Sequence, residues 1–519
     1  MAFKITYASM SADNEELNAA YEKAYVGARA GLGRLRGVIV DGEERTDREI
    51  YEEASPLDHD LVVARHAQAV NDDVDDAVAA AAAFAPEWEA WGWAPRRDLM
   101  LRAADIMEGR MFELAALISY QIGKTRLESL GDVAETVEFF RYYSGQIAEH
   151  NGFSVPLGAL GDNDVNTSVL RPHGVWVVVA PFNFPMALAA GPAIGALITG
   201  NVAVIKPSNT GALMAFELHK IMREAGLPDR ALQILSGRGA EMGEYLTHHD
   251  GVDGITFTGS YPVGMHLLRT AGAKRPKPVS CEMGGKNPVI VAKSANLEVA
   301  AQGIIRAAFG LSGQKCSAAS RVYIEESVYD EMVSMLVEET EKLVVGFPLD
   351  RATFMGPVID RGVVSRFEKA VEEVGRAGGA VLTGGKVLDD GDMARGNFVE
   401  PTIVTVPLNS YVWKEELFMP FLAVTAVTGL DEGLALSNDT ELGLTAGLFS
   451  NDESEIERWL NEIEAGVAYV NRAAGATTGA WPGIQSFGGW KGSGSSGAGG
   501  GGPWYLRQYM REQSHTRII

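Results

Sequence analysis

From residue 175 onward the chain alternates β-branched apolar runs with segments of helical period, and this alternation constrains its fold more than any other feature. Runs at 175–179, 202–205, 231–235 and 254–258 read as strands, and segments at 192–199, 211–225, 239–247 and 261–271 read as helices. Strands this uniformly apolar are buried on both faces, and joined by helices they make a doubly wound parallel sheet of the α/β class. After Glu282 the pattern restarts: strand 288–292, helix 296–309, a loop to Ser317, strand 321–324, helix 327–344. The restart predicts a second α/β unit.

Upstream, residues 11–53 are charged and helical in pattern and read as an N-terminal extension. An alanine-rich helix over 73–84 has an acidic start that suits the helix macrodipole. Trp88, Trp91 and Trp93 read as core packing, followed by one long helix over 95–121 and another over 130–143. Residues 151–167 lack helical period and read as a hairpin reaching away from its own domain. The glycine-rich tail SFGGWKGSGSSGAGGGGPWYL reads as a mobile loop rather than a phosphate cradle, since no strand and helix flank it. The expected division is an extension (1–53), a dinucleotide-binding domain (54–150 and 168–282), a catalytic domain (283–490) and an oligomerisation arm (151–167 and 491–519).

Acidic residues outnumber basic ones 68 to 45, a net charge of −23. Such a chain does not suit nucleic acid, which needs clustered Lys and Arg, nor anionic membranes. It reads as a cytoplasmic protein whose acidic surface keeps it dispersed, a device that also serves at high salt. The opening MAFKITYASM has no apolar signal core. Residues 172–205 carry no Asp, Glu, Lys or Arg, yet Pro181, Pro185, Pro192 and Asn183 interrupt them, so they read as buried strand, turn, helix and strand rather than a membrane span. The two cysteines read as reduced thiols. Nine histidines occur without HExxH, CxxC or a Cys/His cluster, so no structural or catalytic metal is expected.

Cys316, in GQKCSAASR, sits among small loop residues where a substrate can reach it, and a thiolate is a strong nucleophile near neutral pH. Cys281, in the apolar PVSCEM, reads as a small buried residue. Glu282 precedes Gly284 and Gly285 in EMGGKN, and a carboxylate in an apolar strand is costly unless used or paired. Asn183, in PFNFP, could donate to an oxyanion or serve as a structural cap. Lys206 ends the strand AVIK and could bond a ribose hydroxyl or a phosphate, or sit in solvent. Gly259 and Gly264 around FTGS let backbone approach a phosphate, or make a tight turn.

Taken in order, PFNFP, KPSN, FTGS, EMGGKN, GQKCSA and EELFMP resemble the NAD(P)-dependent aldehyde dehydrogenase superfamily over about residues 40–519. The resemblance implies a Rossmann-type cofactor domain, an α/β catalytic domain, a β oligomerisation arm and a homo-oligomer. It implies Cys316 as nucleophile, Glu282 as general base and Asn183 as oxyanion donor. It implies NAD or NADP held by Ala180, Phe182, Lys206, Ser208, Gly239, Gly243, Phe257, Gly259, Ser260, Gly264, Glu416 and Phe418. Two positions depart from the family pattern. Asn209 stands where a Glu is frequent, which leaves NAD and NADP both open, and Met419 stands where Gly is usual.

The segment TTGAWPGIQSFGGWKGSG with GGPWYLRQYMREQ is similar to L-glutamate γ-semialdehyde dehydrogenases. That resemblance implies that Gly479, Ala480 and Ser317 anchor the substrate's α-carboxylate, with Phe184 and Phe487 walling its alkyl stem. Trp481 and Pro482 replace the small residues usual there. Rival readings are another ω-semialdehyde (of 2-aminoadipate or succinate), acyl transfer to CoA, and a non-catalytic binding protein on the same scaffold.

Overall fold

Five parallel strands, counted from one edge, make up most of the first sheet. In the computed structural model, which describes residues 14–473 and 481–519, the order is Val279–Glu282, Gly254–Thr258, Val175–Val179, Val202–Lys206 and Leu232–Ile234. The chain enters in the middle at Val175–Val179, steps outward twice, then crosses to the other side at Gly254–Thr258. The reversal leaves a crevice beyond the carboxyl ends of Val175–Val179 and Gly254–Thr258, where open α/β sheets take their ligands. Ala180, Gly259 and Glu282 all lie at such strand ends, and Lys206 closes its own strand.

The second sheet runs Ala380–Thr383, Thr402–Thr405, Phe421–Val427, Ala319–Glu325, Asn287–Val291, Thr445–Phe449 and Val467–Val470, with only Ala380–Thr383 antiparallel. Strand Asn287–Val291 starts five residues after Glu282, so the turn between them carries the chain from one sheet to the other. A third sheet pairs Met510–Ile518 along the whole of Asp164–Pro172, with Ser154–Pro156 on its far side. It leaves Val155, Leu157, Leu160, Val165 and Ile518 exposed.

Four expectations need correction. The 1–53 segment is helical only over Glu15–Arg29 among its described residues. Its remainder forms strands, of which Val38–Val40 and Glu43–Arg45 extend the edge of the first sheet antiparallel. Val38, Ile39 and Val40 are all buried, and Asp41–Gly42 turns the chain with positive φ at both positions. Such a three-residue apolar run is too short to outweigh the surrounding charges in a periodicity reading. The single helix expected over 95–121 is two, Trp93–Gly109 and Met111–Ile122, broken at Arg110. Trp88 is fully buried and donates to Leu197 O at 3.0 Å, but Trp91 is exposed.

The fourth correction is the glycine-rich tail, which is pinned rather than mobile. Trp490–Lys491 pairs with Leu442–Gly443. Met283 N donates to Ser493 O at 2.7 Å, and Ser493 Oγ donates to Gly284 O at 2.7 Å. Phe487 and Gly500 exchange backbone bonds of 2.9 and 2.7 Å. The glycines permit this contact: a Cβ on Gly466 would lie 1.8 Å from Gly488 O. No helix among the described residues is long and apolar enough to cross a membrane.

Candidate active site

Cys316 lies in the loop joining the helix Leu297–Phe309 to the strand Ala319–Glu325. The loop begins with Leu311, Ser312 and Gly313 in the left-handed region (φ 52, 54 and 66°), a cost for the first two that side-chain bonds offset. Ser312 Oγ donates to Gly356 O at 2.8 Å. Gln314 Oε1 accepts from Ile359 N at 2.9 Å. Asn183 Nδ2 donates to Gln314 O at 3.0 Å, which ties the PFNFP turn to the segment two residues before the cysteine. Asn287 Nδ2 donates to Cys316 O at 2.7 Å and to Ala318 O at 2.8 Å, while its Oδ1 accepts from Thr445 N at 3.0 Å.

Cys316 remains partly exposed, but its surroundings exclude most water. Burial, then the charges of Glu416 and Glu282, push the thiol up to about 12, while the N–H groups of Ser317 and of Cys316 itself favour the thiolate. Those two donors converge on the sulfur. Cys281 is fully buried, and its thiol is also raised to about 12 by burial and by Glu282.

Glu282 ends its strand under the pinned tail, where its carboxylate accepts from Gly489 N at 3.1 Å. Burial raises its pKa to about 8 against that single bond. Glu416 accepts from Gly285 N at 3.0 Å and presses on the glycine turn so closely that a Cβ on Gly284 would meet it at 1.9 Å. Burial lifts its pKa to about 7, opposed by the Gly285 N–H and by Lys286. Glu282 of the EMGG turn and Glu416 packed against it are thus the two carboxylates whose charge reaches the cysteine.

The residues named for a dinucleotide gather along the crevice. Lys206 is buried, its Nζ donating to Pro207 O at 3.0 Å, and burial lowers its pKa to about 8. A Cβ on Gly239 or Gly243 would lie 3.6 Å from its side chain. Ala180 N donates to Lys206 O at 3.0 Å. Gly259 N bonds Glu282 O at 3.1 Å, and a Cβ on Gly259 would strike Phe257 at 2.6 Å. A Cβ on Gly264 would meet Met283 at 2.4 Å. Ser260 precedes the helix Tyr261–Thr270. Phe418, held at φ 55°, meets Phe182 edge-on with ring centres 5.9 Å apart. Ser208 bonds Thr210 instead, at 3.3 Å.

Two observations bear on whether these residues fit a nucleotide. Asn209 Oδ1, three residues after the buried Lys206, is buried without a hydrogen-bond partner, and an orphaned acceptor suits a ribose hydroxyl. The bare backbones of Gly259 and Gly264 leave room where a side chain would collide. Both fit the group.

Phe184 lies beneath Lys124, whose Nζ is 3.5 Å from the ring centre. Lys124 pairs with Asp132 at 3.0 Å, both side chains being fully buried, and Asp132 also accepts from Ala187 N at 2.9 Å. Ser317 is buried and Phe487 half-buried. Gly479 and Ala480 lie outside the described residues. Sequence reasoning missed Asn287 and the Lys124–Asp132 pair. Asn287 stands in the quoted EMGGKN, where an amide closing a glycine turn is a usable signal; the ion pair gave none.

Residues 43–515 match the family described as Aldehyde dehydrogenase family, and the chain belongs to that family. It is 36% identical over 506 residues to a 1-pyrroline-5-carboxylate dehydrogenase of Geobacillus sp. (strain WCH70), covering 96% of each chain. It is 35% identical over 506 residues to 1-pyrroline-5-carboxylate dehydrogenase 2 of Bacillus subtilis (strain 168), again covering 96% of each. The fold superimposes with a TM-score of 0.93 on the crystal structure of a Thermus 1-pyrroline-5-carboxylate dehydrogenase with bound NAD, at 32% identity over 98% of this chain and 97% of that one.

Proposed function

We propose that the protein oxidises L-glutamate γ-semialdehyde to L-glutamate, as a step of proline catabolism, with NAD as electron acceptor. The observation that carries the reading is the arrangement at Cys316: a reachable sulfur with two backbone N–H groups turned to it and two carboxylates beside it. The names of the relatives reported above support the substrate.

The Cys316 thiolate forms a C–S bond to the aldehyde carbon, and the carbonyl oxygen takes the negative charge. The Cys316 N–H and the Asn183 amide hold that oxygen; a single oxyanion-hole donor in a serine protease is worth about 3–4 kcal/mol. A bound oxidised nicotinamide supplies a positive charge that favours the thiolate and a two-electron acceptor for the thiohemiacetal. The resulting thioester stays fixed at Cys316. Glu282 takes a proton from water, the water oxygen bonds to the acyl carbon, and the C–S bond breaks to release acid and thiol. A carboxyl poised near 8 is a strong enough base for this and ionises within reach of neutral pH.

Lys206 and Asn209 hold the adenosine ribose, Gly259 and Ser260 face the pyrophosphate, Glu416 bonds the nicotinamide ribose, and Phe182 and Phe418 border its ring. Phe184 and Phe487 wall the alkyl stem. Ser317, with Gly479 and Ala480, receives the amino-acid end. The arm sheet, with its exposed apolar residues, serves a homo-oligomer, and the enzyme works in the cytoplasm.

A panel of semialdehydes run with NAD and with NADP tests the reading. Glutamate γ-semialdehyde with NAD should give the highest kcat/KM, and free glutamate should compete with it. Preference for succinate semialdehyde, with no inhibition by glutamate, would overturn the substrate assignment and leave the chemistry standing.

A further inference from the structure

The cofactor sheet carries a second cluster of chemistry-bearing side chains that the reaction does not use. Glu244 and His248 sit one turn apart on the helix Glu244–His248, and His266 faces them from the helix Tyr261–Thr270. His266 Nε2 lies 3.0 Å from both carboxylate oxygens of Glu244. His248 Nδ1 lies 3.4 Å from Glu244 Oε1. The two imidazole rings are 6.1 Å apart. All three ligand atoms lie within 4.8 Å of one another.

We propose that Glu244, His248 and His266 form a site for a divalent transition metal, of which Zn²⁺ is the type. Metal–ligand bonds of about 2.0–2.1 Å in a tetrahedron put neighbouring ligand atoms roughly 3.3 Å apart. The observed separations of 3.0 and 3.4 Å bracket that value. Two neutral imidazoles and one carboxylate suit Zn²⁺, Co²⁺ or Ni²⁺ better than Ca²⁺ or Mg²⁺, which take oxygen ligands. All three side chains are partly open to solvent, so water completes the coordination.

A second layer supports the histidines. Thr270 Oγ1 stands 2.8 Å from His248 Nε2 and donates to the carbonyl of His266 at 2.8 Å. Its one proton is thereby committed, so the hydroxyl accepts from His248 Nε2–H. That bond leaves Nδ1 as the ligand nitrogen and orients the ring, as such outer partners do at metal sites. Before metal arrives, Nδ1 lies 2.9 Å from the carbonyl of Glu244, a contact that the ion replaces. The net charge of −23 favours a cation at the surface.

The sequence offers no local signature because the third ligand is eighteen residues from the second and reaches it only across two helices. A bound ion bridges those helices and stabilises the folded chain, since the unfolded chain has no such site.

Equilibrium dialysis of the full-length protein against Co²⁺ tests the proposal, in a Cys316→Ser background to remove the reachable thiolate. One Co²⁺ per chain should bind at micromolar concentration, with the absorption of nitrogen and oxygen ligands. Affinity should fall at least tenfold in His266→Ala and in Glu244→Gln and be retained in His249→Ala, whose ring faces Asp75 instead. Zn²⁺ should raise the unfolding midpoint of the parent and not of His266→Ala. Saturable binding only at millimolar metal, or equal affinity in His266→Ala, would overturn the assignment.

Discussion

Asn287 holds Cys316 by its backbone: one side-chain amide spans Cys316 O at 2.7 Å and Ala318 O at 2.8 Å, while the opposite oxygen accepts from Thr445 N. The nucleophile's position is thus set from the first residue of the strand that follows the EMGGK turn. Asn287→Ala should cost about 1–3 kcal/mol in stability through the backbone groups left unpaired. It should also lower kcat more than it raises the KM for NAD. Denaturant melts and initial rates check both; an unchanged kcat in a destabilised protein would reduce Asn287 to a structural role.

Cys316→Ala should abolish nicotinamide reduction while leaving NAD binding within about twofold, because the sulfur contributes chemistry rather than cofactor contacts. Cofactor fluorescence titration separates the two effects. Residual turnover above the background of the mixture would remove Cys316 from the mechanism.

Glu282 supplies the pH dependence. Its folded pKa is raised, to about 8, so the working base form is scarce in acid and accumulates as pH rises through that value. Steady-state rates limited by hydrolysis should therefore climb with pH and level off above about 8. In Glu282→Gln the limb should vanish, leaving a single burst of NADH. A limb centred near the ordinary glutamate value would contradict the burial argument.

Lys206 is buried, and the Oδ1 of Asn209, three residues on, is buried without a partner. Lys206→Met should weaken NAD by about 1.5–3 kcal/mol, roughly ten- to a hundredfold in Kd, as for other hydrogen bonds from charged groups, with little change in kcat at saturating NAD. A proportional fall in kcat with constant Kd would place Lys206 elsewhere in the cycle.

Removing one partner of the Lys124–Asp132 pair leaves a charge in a dry interior. Lys124→Met should destabilise by about 3–5 kcal/mol, and Lys124→Met with Asp132→Leu by less than Lys124→Met alone. Chemical denaturation of the three proteins decides this.

The sequence made the βα alternation legible because strands buried on both faces leave long uncharged runs, and Val175–Val179 and Gly254–Thr258 fall where those runs predict. Residues 34–45 were not legible in the same way: their three strands have three residues each, and Glu43–Arg45 is wholly polar. The glycine-rich tail misled for a related reason. Composition reports freedom in the chain by itself, but residues 488–495 are fixed by hydrogen bonds to Met283, Gly284 and Glu282 that lie some two hundred positions away. Around the reaction centre, Cys316, Glu282 and Asn183 stood out because each is chemically costly among apolar or small neighbours. Asn287 and Lys124 act through contacts distant in sequence and left no such mark.

The most direct test of the account is peptide mass analysis of Glu282→Gln quenched after one turnover with NAD and glutamate γ-semialdehyde. The account predicts an acyl adduct on the peptide carrying Cys316, equal in amount to the NADH released. NADH formed with that peptide unmodified would contradict it.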